Sequence, residues 1–290
     1  MNISITGTLG AGKSSVCRVL QENGYSYISN GEIFREIAQE RGVSVVELNK
    51  IAETDKSIDK MLDERSVQLG KERDNVVFDS RMAWHFIPDS FKVFLAANTN
   101  ETGRRVYEDN RAAEAYRSPA EAKSELIRRQ SLEKTRFVGL YGVDYLDLSN
   151  YDLIIDTTCV LPDRVARKIL EAQKSYEKDS SGFPTALLNP GNLYPTQSVE
   201  HFSGELSDDG GELSVSAGVS ANCFAILDGH DRVLAAVRRG DDFIRATLSP
   251  AGSCCYPDNS VFEDFEKLGG FHYLGYPDSG EPTMIEYTAH

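Results

Sequence analysis

Gly7-Thr8-Leu9-Gly10-Ala11-Gly12-Lys13-Ser14 fits the pattern Gly-x4-Gly-Lys-Ser/Thr in full. The residues on either side fit as well. Ile3, Ile5 and Thr6 favour a strand before the loop, and Ser15 to Glu22 favour a helix after it. The glycines let backbone N–H groups turn inward around a phosphate, and the helix that follows points its positive end there. Lys13 is placed to reach the β/γ-phosphates, and the Ser14 hydroxyl to ligate Mg²⁺. Gly7, Gly10, Ala11, Gly12 and Ser15 complete the cradle. The stretch predicts a nucleoside triphosphate as ligand.

From the loop outward, strand-like and helical segments alternate. Strands are expected at 2–6, 25–29, 75–79, 91–96 and 152–156, and helices at 31–41, 44–70, 100–134 and 162–177. This alternation predicts an α/β fold, a doubly wound parallel sheet with helices on both faces. Residues 177–196 shift to Ser, Gly, Pro and Asn, as in Ser180-Ser181-Gly182 and Asn189-Pro190-Gly191-Asn192. They read as turns and linker. A boundary near 179 divides the chain into residues 1–178 and a smaller α+β unit, 179–290. In the latter, Leu213 to Val219 and Cys223 to Leu227 look like strands, and Arg232 to Arg238 like a helix.

The bulk numbers bound the function. The 290 residues are 40% hydrophobic and 26% charged, an ordinary globular composition. No apolar run approaches the ~20 residues of a membrane span. The first strand runs straight into the loop, with no signal peptide ahead of it. Cys17, Cys159, Cys223, Cys254 and Cys255 are scattered without C-x-x-C spacing, so neither a disulfide framework nor a zinc site is expected. A cytoplasmic location follows as the default. The net charge is −14. Residues 181–290 hold 16 Asp/Glu against 5 Lys/Arg, so the acidity is concentrated there. That argues against a nucleic-acid partner.

Three further motifs accompany the loop. In Gly31-Glu32-Ile33-Phe34-Arg35, Arg35 could fork onto a phosphate, though alone it reads as a surface arginine. In Val76-Val77-Phe78-Asp79-Ser80-Arg81, Asp79 ends an apolar strand, where a carboxylate could hold Mg²⁺ through water and Arg81 would share the crevice. The competing reading makes Asp79 a helix cap or turn residue. Arg104-Arg105 and Arg128-Arg129 precede Glu133 and Arg136, and helical spacing puts Arg129, Glu133 and Arg136 on one face. An isolated helix of this kind would be a solvated, salt-bridged surface. Beside a phosphate loop, mobile arginines would instead close over the phosphates, stabilise charge and exclude water.

The ordered set Gly7 to Ser14, Gly31 to Arg35, Asp79 to Arg81 and Arg129-x3-Glu133-x2-Arg136 resembles the cytidylate kinase family, most closely its archaeal-type branch. Gly139-Leu140-Tyr141-Gly142-Val143-Asp144 and Leu148 to Thr157 are similar to that family's closing segment. The resemblance covers about residues 1–175. It implies a P-loop nucleoside monophosphate kinase core with a lid, transferring the ATP γ-phosphoryl group to CMP or dCMP with Mg²⁺. By position it implies that Arg35 and Arg81 hold the acceptor phosphate. Arg129 and Arg136 would stabilise the transferred group, Glu133 would be the acidic lid residue, and Arg105 would lie near the adenine. One departure from the family pattern is Ala96, which stands where the bacterial branch carries an acidic residue near the acceptor nucleoside. The alternatives are a small-molecule kinase with a non-nucleotide acceptor, or a nucleotide sensor without turnover.

In the second unit, Asp228-Gly229-His230-Asp231-Arg232 opens a helix after a strand, a plausible anion site. With Asn189 to Gln197, it resembles the ParB/sulfiredoxin fold over about residues 188–250. That resemblance implies a second nucleotide at Asp228, Gly229, His230 and Arg232. The plain alternative has Asp228 capping the helix and His230 satisfying a turn.

Overall fold

The computed structural model describes residues 1–52, 55, 57–109, 116–199, 214–220, 223–250, 259–274 and 284–288. Leu213, Cys254, Cys255 and part of the predicted 100–134 helix lie outside them. The strands of the first half are β1 (Ile3–Gly7), β2 (Ser26–Ser29), β3 (Val76–Asp79), β4 (Phe91–Ala96) and β5 (Leu153–Asp156). They pair in parallel in the order β2-β3-β1-β4-β5. Helices α1 (Lys13–Glu22), α2 (Asn30–Glu40), α3 (Val45–Ala52), α4 (Ser57–Glu72), α5 (Ala83–Phe86), α6 (Thr99–Glu108), α7 (Pro119–Tyr141) and α8 (Pro162–Lys178) connect or flank them.

Two predicted helices are each two. The 44–70 segment divides into α3 and α4, with Asp55 accepting the Ser57 N–H at 2.8 Å. The 100–134 segment divides into α6 and α7, because Ser118 caps α7 and Pro119 starts it. A Ser-Pro pair is a local start signal that helical periodicity alone passes over.

The sheet does not stop at residue 179. Strand β6 (Thr185–Leu188) pairs in parallel with β5, inside the stretch expected to be linker. The Thr-Ala-Leu-Leu run is too short, and too closely flanked by Pro184 and Asn189-Pro190, to stand out as a strand. Beyond it lie β7 (Leu193–Tyr194), β8 (Ser214–Ser220), β9 (Cys223–Asp228), α9 (His230–Arg239), β10 (Ile244–Pro250) and α10 (Asn259–Gly269). The sheet runs on from β6 as β10-β8-β9-β7, giving ten strands among the described residues.

Strand alternation sorts the core onto two faces. Ile3, Ile5, Leu95 and Ile155 pack on Val16, Leu20, Val165 and Ile169 of α1 and α8. On the other face, Phe94 and Ile154 join a cluster with Tyr145, Leu188, Val233, Leu234, Phe265, Met284 and Ile285. Both halves of the chain therefore share that second core. Among the described residues, no helix is long and apolar enough to cross a membrane.

Candidate active site

The phosphate loop joins β1 to α1, and its glycines are required by space and by backbone geometry. A Cβ on Gly7 would lie 2.4 Å from the Leu95 carbonyl oxygen. Gly12 has φ +80, the left-handed conformation from which α1 begins. The loop lines a cavity of about 240 Å³ together with Lys13, Ser14, Arg81, Asp109 and Arg129. Glycine-bounded N–H groups, a lysine, a serine and two arginines thus meet in one hollow beyond the carboxyl ends of β1 and β3. Among the described residues, the Thr8 hydroxyl is buried there with no hydrogen-bond partner.

Lys13 is ion-paired with Asp79, whose other oxygen accepts the Tyr27 hydroxyl at 3.0 Å. Burial pushes the Lys13 amine down to about 8, and the Arg81 charge adds to the shift. Arg81 spans the site: its Nε donates to Glu133 at 2.9 Å and its Nη1 to the Gly7 carbonyl at 3.2 Å. Its guanidinium lies over the Tyr145 ring, 5.9 Å from the centroid. Tyr145 also donates to Glu133 at 3.3 Å, and burial raises its own pKa.

The three spaced residues of α7 separate in role. Arg129 lines the phosphate cavity, and Glu133 holds Arg81. Arg136 is 58% exposed and grips Asp59 of α4 through two bonds of 2.8 and 2.9 Å. Arg128 pairs with Glu125 on the exposed side. Arg35 lines a different hollow of about 360 Å³, with Tyr27, Glu32 and Arg73. Glu32 closes a capping box with Ser29, so part of that motif starts α2.

Arg105 borders a third cavity of about 370 Å³, against Gly12, Ser15 and the turn after β5. It donates to Glu101 at 2.7 Å and to the Thr157 carbonyl at 2.9 Å. The Thr157 hydroxyl in turn reaches the Ala11 carbonyl at 2.9 Å, tying this turn to the phosphate loop. Gln130 is a site residue that sequence reasoning missed. It is buried in α7, and its amide oxygen accepts the Leu9 N–H at 3.0 Å. No local pattern marks a contact across 121 positions.

In the second unit, Gly229 has φ +88 and α9 begins after it. Asp228 and Arg232 are exposed. His230 is turned inward instead: it is buried, and its Nε2 accepts the Thr196 N–H at 3.1 Å. Burial lowers its pKa, which suits a neutral ring that fastens Thr196 to α9. His230 thus satisfies a turn, and its ring is not presented at the surface as a ligand contact.

A sequence model described as the cytidylate kinase-like family matches residues 2–159. The cytidylate kinase of Sulfolobus acidocaldarius is 37% identical over 174 residues, which are 59% of this chain and 92% of that protein. The cytidylate kinase of Halobacterium salinarum is 33% identical over 192 residues, 65% of this chain and 97% of that protein. A solved shikimate kinase from Bacteroides thetaiotaomicron aligns at 17% identity with a TM-score of 0.42, over 61% of this chain and 98% of its own.

Proposed function

Because the chain belongs to the cytidylate kinase-like family, we propose that it transfers the ATP γ-phosphoryl group to a nucleoside monophosphate, with CMP or dCMP preferred. The observation that carries this reading is the convergence of the loop, Lys13, Arg81 and Arg129 on one cavity. Phosphoryl transfer asks chiefly for positioning and for positive charge around the moving group, and these residues supply both. The ≈370 Å³ hollow beside Arg105 takes the ATP base. Arg81 holds the acceptor phosphate, joined by Arg35 from the neighbouring hollow, Glu133 orients Arg81, and Arg129 attends the transferred group, joined by Arg136 once it leaves Asp59.

The residues fit Mg²⁺. Ser14 lines the cavity, and Asp79 is held beside it by its ion pair with Lys13, which lines it too. Both Asp79 oxygens are engaged, by Lys13 and Tyr27, so Asp79 meets a hydrated cation only once Lys13 has turned to the phosphates. Among the described residues, no three His, Cys, Asp or Glu side chains gather to hold a metal. The cation would therefore take most of its oxygens from phosphate and water. Bound there, it would neutralise charge on the triphosphate.

For residues 179–290, the reading to test is a ParB/sulfiredoxin-like unit that binds a second nucleotide at Asp228, Gly229 and Arg232, with His230 in a structural role. Gly229 and the start of α9 support it. Calorimetry on the full chain with CTP should give two sites, with Arg232→Ala removing one; a single site in both proteins would overturn this. A coupled assay of ADP release tests the kinase reading. CMP or dCMP should give the highest kcat/KM among CMP, dCMP, UMP, AMP, GMP and free serine. A lead for AMP or serine would refute the acceptor, and no turnover on any of them would leave a nucleotide sensor.

A further inference from the structure

We propose that Asn192 is a positioning residue of the ATP base pocket, although it lies beyond the matched residues 2–159. The proposal rests on the kinase reading and extends it into the second half of the chain. Asn192 ends the turn Pro190–Asn192 between β6 and β7 and is buried. Its Nδ2 donates to Asp156 Oδ2 at 2.8 Å and approaches Thr158 Oγ1 at 3.3 Å. Its Oδ1 accepts from Asn98 Nδ2 at 3.2 Å. The ring then closes within the first half: the Asn98 N–H donates to Thr158 Oγ1 at 2.9 Å, and the Thr158 N–H to Asp156 Oδ1 at 2.8 Å. Asn98, Asp156 and Thr158 are also buried, so every one of these bonds lies out of water.

The ring joins the two walls of one cavity. Asn98 caps α6, which carries Glu101 and Arg105. Asp156 and Thr158 flank Thr157 in the turn that leads to Cys159 and Val160. Glu101, Arg105, Thr157, Cys159 and Val160 all line the ≈370 Å³ hollow. Asn192 touches none of the space a base would fill. It sets the distance between the walls, and through Thr157 the seat of the phosphate loop. Asn98 also donates to the Tyr194 hydroxyl at 3.2 Å, so the second unit holds α6 at two points.

The test uses the full chain. Removing the amide leaves the Asp156 carboxylate and the Asn98 amide short of a buried partner. Asn192→Ala should raise KM and Kd for ATP about tenfold and leave KM for CMP within about twofold, because a buried pairing is lost on the donor side alone. The ratio of kcat/KM for ATP over GTP should fall with it. Val233→Ala, a core truncation in α9, should lower Tm while both KM values hold. Asn192→Ser keeps a donor for Asp156 and should show a smaller effect in the same direction. An unchanged ATP Kd in folded Asn192→Ala would overturn the proposal. So would parallel rises in both KM values, or failure of both Asn192 variants to fold. A wild-type chain that binds ATP without turnover would sink the kinase reading alone, since Kd still reports on Asn192.

Discussion

At the residue scale, Lys13 and Arg129 carry the heaviest predictions. Lys13 is half-buried and partnered by Asp79, so its charge is held beside the cavity. Lys13→Ala should abolish turnover, because a point charge on the transferring group is lost, and should lower Tm without unfolding the chain, because the buried Asp79 carboxylate loses its ion-pair partner. Assays of phosphoryl transfer and thermal melts check both halves; wild-type-like turnover would refute the role. Arg129→Ala should lower kcat by ~10²–10³ with little change in ATP Kd, in the range of a lost donor to a developing charge. Arg81→Ala should raise the acceptor KM instead, since Gly7 and Glu133 hold Arg81 in place to receive the acceptor phosphate. Single-turnover kinetics and titrations of acceptor separate the two, and identical effects would make the arginines interchangeable charge. The loop and these arginines were readable in the sequence because each lies within a short, spaced pattern. Gln130, Tyr27 and Asn192 were not, because each acts through a partner dozens of positions away.

At the element scale, α7 and α4 are linked by Arg136–Asp59 and by the Tyr141 hydroxyl, which donates to Asp63 at 2.9 Å. Asp63 is pushed up to about 6, first by burial and then by the neighbouring Asp59 charge, against the pull of Tyr141 and Arg136. A carboxyl raised in the folded state favours folding while it is protonated, and that contribution disappears as pH rises from its unfolded value through about 6. Above that window the protein holds a disfavoured carboxylate. Asp63→Asn keeps an acceptor for Tyr141 and carries no charge. Its Tm should match wild type near ~pH 4 and exceed it near ~pH 8, as the linkage requires. Melting curves across that range decide the matter, and a pH-independent difference would place the cause elsewhere. Helical periodicity revealed α4 and α7 without revealing that they touch. The 44–70 and 100–134 patterns also ran through their breaks, because periodicity records faces and caps record ends.

At the scale of the whole molecule, the second half completes the sheet and shares its core. About three-fifths of this chain accounts for 92% of the Sulfolobus acidocaldarius relative, so most of that protein is matched without the remaining residues. Here β6 covers the open side of β5, and Leu188, Val233, Phe265, Met284 and Ile285 pack with Phe94 and Ile154. The end of the described chain returns to the first half as well. The Leu148 N–H donates to the Glu286 carbonyl at 2.7 Å, and Lys134 of α7 pairs with Glu286 at 3.0 Å. Composition pointed to a linker near 179, because Ser, Gly, Pro and Asn are as frequent around a short buried strand as they are between domains. The consequence can be tested by truncation. A fragment of residues 1–178 would expose an apolar parallel edge at Leu153-Ile154-Ile155 and one face of Phe94. Such edges pair with other chains. The fragment should elute as aggregate, or melt well below the full chain, and a charge placed on the bared edge by Ile154→Lys should restore solubility without restoring Tm. Gel filtration and melting measure this. A monomeric fragment with the full chain's Tm and ATP Kd would show that the two halves fold separately, and would undercut the role given to Asn192 as well.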